Sequence, residues 1–87
     1  MFNIGLRRKW KRIDDHLRKA LLELENTNGP IEATEMLDFL DHNEFGLACD
    51  QLEWICKDQD LTISALAENE INDAKRLMGY FATATEG

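Results

Sequence analysis

Residues 41–56 read DHNEFGLACDQLEWIC, and two incompatible structures fit their first six letters. Asp41, Asn43 and Gly46 reproduce the opening spacing of a calcium-binding EF-hand loop, which takes oxygen ligands at positions 1, 3 and 5 and a bidentate Glu at 12. In that register position 5 is Phe45 and position 12 is Leu52, so two of the required ligands are hydrocarbon. Phe45, Ala48, Cys49, Leu52, Ile55 and Cys56 instead recur at helical spacing. The stretch therefore predicts the start of a helix over about residues 44–57, with Asp41 to Glu44 placing negative charge where the helix dipole favours it. Gly46 costs such a helix up to about 1 kcal/mol relative to Ala, which a close crossing by a neighbouring helix or by a partner's backbone would explain.

Working outward, KDQDLT at 57–62 is a polar break, and Thr62 or Ser64 can cap a fourth helix over about 64–79. Its apolar stripe is Ala67, Ile71, Ala74, Met78 and Phe81, and Gly79 is placed to end it, leaving TATEG as a frayed tail. On the other side, Ala33, Met36, Leu37 and Leu40 predict a second helix over about 30–42, with Pro30 at its first position. Before NTNGP at 26–30, a stripe of Leu6, Trp10, Ile13, Leu17, Ala20 and Leu24, widened by Leu21, predicts a first helix over about 4–26. Nothing alternates as a strand does. The expected fold is all-α: a single compact four-helix domain over residues 1–87 with a longer, basic first helix.

The 87 residues suffice for one domain, and the 44% hydrophobic content suffices for a core. The net charge of −7 is unevenly spread. Residues 1–19 hold seven bases against two acids, a net of +5, whereas residues 20–87 hold three bases against fifteen acids, a net of −12. Most of the chain would repel a polyanion and attract a basic protein. No apolar run resembles a signal peptide or approaches the roughly 20 residues of a membrane span, so the expected location is cytoplasmic, with no membrane partner. Cys49 and Cys56 lie seven residues apart, roughly 10 Å along one helix, too far for an intrahelical disulfide, and read as buried thiols.

EFGLACDQLEWI (Glu44–Ile55), preceded by MLDFLDHN and followed by LTIS, resembles the core of the small immunity proteins of bacterial polymorphic-toxin systems, the MafI-type and contact-dependent-inhibition immunity proteins. The resemblance covers roughly residues 30–66 and excludes the basic first helix and the two cysteines. It implies a stoichiometric inhibitor and not an enzyme. Such a protein binds a cognate toxin domain, often a nuclease, and blocks its active site or substrate groove.

The residues themselves offer a surface for such a role. At 100° per residue Trp54 falls opposite the stripe centred on Leu52, with Leu47, Asp50, Gln51 and Asp58 on the same side. Two readings stay open: the first helix covers this second face and buries Trp54, or Trp54 and Leu47 are exposed anchors ringed by acids. Asp38 and Asp41, continuing into Glu44, extend the acidic surface from the second helix. The candidate partner-binding residues are thus Asp38, Asp41, Glu44, Leu47, Asp50, Trp54 and Asp58, facing a basic toxin domain.

The competing reading uses the first helix, whose Arg7, Arg8, Lys9, Lys11, Arg12, Arg18 and Lys19 would let a small regulator or adaptor contact nucleic acid. Asp14–Arg18 and Asp15–Lys19 are expected i,i+4 pairs, worth about 0.3–0.5 kcal/mol each. His16 and His42 sit on different elements with no ligand at metal spacing nearby, and read as surface or capping residues. No phosphate loop, nucleophile elbow or HExxH occurs, so neither a cofactor nor a metal nor enzymatic activity is expected.

Overall fold

In the computed structural model, which describes residues 4–79, DHNEFG is a helix-to-helix turn. It follows α2 (Thr34–Asp41) and opens α3 (Phe45–Asp58). Asn43 adopts a left-handed conformation with φ 59°. Its N–H bonds to the carbonyl of Leu40 at 3.0 Å, and the N–H of Glu44 bonds to that of Phe39 at 2.8 Å. This pair of bonds is the Schellman arrangement, which satisfies the last carbonyls of a helix. Asn43 is suited to the position because a short amide side chain tolerates positive φ, so no ligand role is needed to explain it. The same device ends α3, where Asp60 takes φ 51° and Leu61 N–H reaches back to the Cys56 carbonyl at 2.9 Å.

The other two helices are α1 (Ile4–Asn28) and α4 (Ala65–Met78), and no strand occurs among the described residues. The all-α four-helix architecture is the expected one. Ser64 caps α4 by accepting the Ala67 N–H at 3.1 Å, and Gly79 closes it at φ 85°. The second helix differs from expectation. It starts at Thr34, with Pro30 lying in an irregular connection and not at the helix start. The connection is pinned by burial of Ile31 and Ala33, by the Glu25 carboxylate accepting the Ile31 N–H at 3.2 Å, and by Glu32 accepting the Thr34 N–H at 3.1 Å. These partners satisfy groups that an earlier helix start would otherwise have used.

The helices associate as two pairs. α1 packs chiefly along α4, and α2 chiefly along α3. Asn28, at the end of α1, clamps the approach to α4: its side chain donates to the Thr62 carbonyl and accepts the Thr62 N–H, both at 2.9 Å. Leu17, Leu24, Met36, Leu40, Cys49 and Leu52 are the largest fully buried side chains. The α3 stripe is buried throughout, as are Ala67, Ile71 and Ala74 of α4. Phe81 and the TATEG tail lie outside the described residues.

The α1 stripe is buried only from Ile13 onward, whereas Leu6 and Trp10 remain 39% and 38% exposed. A helix of 25 residues is roughly 37 Å long, while the 14-residue α4 beside it reaches only about 21 Å. Among the described residues, the first turns of α1 have less helix to pack against.

Candidate functional site

The outer face of α3 is not covered by α1. Trp54 is 57% exposed and Leu47 50% exposed, which decides between the two readings of Trp54 in favour of the open face. Asp50 lies between them on the same strip, and Asp58 follows one turn beyond Trp54, both exposed. Gln51 donates to Glu35 of α2 at 3.3 Å, which holds an acidic side chain of the neighbouring helix along the edge of this strip.

The seven candidate residues do not form one patch. Asp41 accepts a hydrogen bond from the Arg18 guanidinium at 3.0 Å, and Arg18 also donates to Asp14 at 2.9 Å. Hydrogen bonding to Asp14, then to Asp41, raises the Arg18 pKa further, so one guanidinium shared by two carboxylates links α1 to α2. Asp38 is exposed and sits 3.6 Å from the His42 ring. His42 caps the end of α2, and the Asp38 backbone carbonyl, followed by the Asp38 carboxylate, raises its pKa. Glu44, Asp50 and Asp58 form no ion pair among the described residues. Glu44 acts on His42 and Asp50 on Lys75 only at longer range, raising the pKa of each base.

Glu44, Leu47 and Asp50 also border a cleft of about 670 Å³ whose opposite wall is Leu6, Trp10 and Met78. Trp10 meets Phe45 at the base, ring centroids 6.4 Å apart and planes tilted by 54°. Gly46 lines the same cleft, between the start of α1 and the end of α4. Leu6, Trp10 and Met78 are site residues that pattern reading assigned to the core. Their signal was present in sequence only as a stripe longer than its partner helix.

On the basic helix, Lys11 pairs with Asp15 at 3.5 Å. Asp15 thus turns toward Lys11 and not toward Lys19 as expected, whereas the Asp14–Arg18 pair is present. Arg8, Lys9, Arg12 and Lys19 are exposed and without an ion pair among the described residues.

His16 departs from a surface role. Its Nδ1 lies 2.6 Å from Oε1 of Glu70, and both side chains are half-buried in the α1–α4 seam. Fifty-four positions separate the two residues, so no spacing rule reveals the pair. Asp73, one turn along α4, joins them: one ligand atom from each of the three lies within 4.8 Å of the others.

Both cysteines are buried free thiols. Desolvation pushes Cys49 up to about 12 and also raises Cys56, which removes the thiolate that redox or nucleophilic chemistry needs. Among the described residues no helix is long and apolar enough to cross a membrane. Comparison with protein-family models, curated proteins and solved structures returns no match for this chain.

Proposed function

We propose that this chain is an immunity protein, a cytoplasmic inhibitor that binds a basic bacterial toxin domain, such as a nuclease, and occludes its active site or substrate groove. The observation that carries the reading is the outer face of α3, where Leu47 and Trp54 stand exposed among Glu44, Asp50 and Asp58, acids that form no direct ion pair among the described residues. An aromatic anchor inside a charged rim is the composition of a binding hot spot, and fixed negative charge speeds encounter with a basic partner. The resemblance of Glu44–Ile55 to immunity proteins supports the same role. Asp41 is not in this contact set, because Arg18 already engages it.

The test is to look beside this gene for one encoding a secreted toxin domain and to co-express the two; the absence of such a neighbour counts against the reading. The wild-type chain restores growth, and Trp54→Ala combined with Leu47→Ala does not. Glu44→Lys with Asp50→Lys slows association measured by stopped flow, most strongly at low salt. Full protection by both double variants removes the α3 face from the mechanism.

A second reading is favoured by Arg8, Lys9, Arg12 and Lys19, the exposed and unpaired cations of α1. These would serve a regulator contacting nucleic acid. A gel shift whose affinity falls steeply between two salt concentrations supports it.

A further inference from the structure

We infer that His16, Glu70 and Asp73 form a binding site for a divalent transition-metal ion of the zinc class, clamped between α1 and α4. This site is independent of the α3 face and of any toxin. One imidazole nitrogen and two carboxylate oxygens lie within 4.8 Å of one another. Zinc holds nitrogen and oxygen ligands at about 2.0–2.2 Å, so in a tetrahedral site the donor atoms stand roughly 3.3–3.5 Å apart. Closing the set around an ion takes shifts of about 1 Å, well within side-chain adjustment.

The donors are already arranged for the purpose. Glu70 and Asp73 are three apart on α4 and project from one face. His16 comes from the facing helix, and its 2.6 Å hydrogen bond to Glu70 sets the ring against that carboxylate; an incoming ion replaces the shared proton, which leaves to solvent, and parts the two atoms. The His16 and Glu70 side chains are 23% and 25% exposed, shielded from bulk water yet reachable by a hydrated ion. Imidazole with two carboxylates suits zinc, cobalt or nickel, whereas magnesium and calcium prefer oxygen alone. The fourth position falls to water.

Besides that shared proton, one side chain competes with the ion. Arg76 donates to Asp73 at 2.6 Å, an i,i+3 pair on an exposed side of the helix. Exposed pairs of this kind hold at most about 1 kcal/mol, so a metal ion displaces the guanidinium and gains the carboxylate. This competition gives the site an unusual signature: weakening the Arg76 contact tightens metal binding.

The experiment uses the full chain, freed of metal by chelator and dialysis, with zinc chloride as the probe and magnesium chloride as the control. Zinc raises the melting temperature by several degrees at saturation, and magnesium does not. His16→Gln and Asp73→Asn, each checked by circular dichroism for the native helix content, lose at least tenfold in zinc affinity by calorimetry. Arg76→Gln gains several-fold. Cobalt in place of zinc gives visible absorption bands in the wild type that are absent from His16→Gln. An equal zinc response in wild type and His16→Gln, or an equal response to zinc and magnesium, overturns the assignment, as does no response in the wild type.

Discussion

Leu52 and Trp54 are two positions apart on α3, and the fold predicts that truncating them has opposite consequences. Leu52 is fully buried, in contact with the core. Leu52→Ala removes a side chain that surrounding atoms cannot replace, at a cost of about 3–5 kcal/mol. Trp54 is 57% exposed, so its own fold covers roughly two-fifths of it, or about 100 Å². At about 25 cal/mol per Å² that area contributes at most about 2.5 kcal/mol, and the extended-chain reference makes even this an upper bound. Alanine returns about 0.5 kcal/mol through its better helix propensity. The expected cost of Trp54→Ala is therefore about 1–1.5 kcal/mol. A chain of this size has a total stability of roughly 4–13 kcal/mol, which leaves Trp54→Ala folded throughout that range and Leu52→Ala close to unfolding at its lower end. The assay is urea denaturation followed by far-ultraviolet circular dichroism, since removing Trp54 alters fluorescence. With a slope of about 1 kcal/mol per M, the midpoint falls by roughly 1 M for Trp54→Ala and 3 M or more for Leu52→Ala. Leu52→Met, which conserves volume, costs under about 1.5 kcal/mol and keeps the comparison measurable if the alanine variant does not fold. Equal losses for Trp54→Ala and Leu52→Ala would refute the exposed face of α3, and with it the proposed contact surface.

Three further outcomes follow from local structure. Ser64→Ala costs about 1 kcal/mol by removing the acceptor of the Ala67 N–H, and Ser64→Asp retains most of that; thermal melts of both variants check it. Cys49 and Cys56 resist a thiol reagent at pH 8 in native buffer and react promptly in urea, and fast reaction in the native state contradicts their burial. The His42 proton is held above the ordinary imidazole pKa, so its contribution is fully present below that value and disappears as pH rises through the folded one. Asp38→Asn removes the carboxylate but keeps the backbone carbonyl, so an NMR titration of His42 moves partway down; an unmoved titration rules out the carboxylate's part.

Helix number, order and inner faces were legible in the sequence because burial repeats every three to four residues. The run Phe45, Ala48, Cys49, Leu52, Ile55 and Cys56 can face one way only, and it does. Cap chemistry was partly legible: Ser64 and Gly79 act as such residues usually do, whereas Asn43 and Asp60 were readable as polar turns but not as left-handed stops. Pro30 misled because a proline suited to a first helical position is equally suited to the irregular connection it occupies.

The sequence by itself determined which residues pack inward and where charge accumulates, since both follow from local period and composition. Only the tertiary structure decided which outward residues meet, because contacts between helices depend on pairing and on relative length. Pairing of α1 with α4 brought His16 to Glu70 across 54 positions. Among the described residues, the start of α1 leaves Leu6 and Trp10 partly exposed, in the wall of a cleft beside Leu47. The turn between α2 and α3 set Asp41 against Arg18, whereas Glu44 and Asp50 form no direct ion pair among the described residues. No reading of one helix at a time contains that information, because each of these facts belongs to two helices at once.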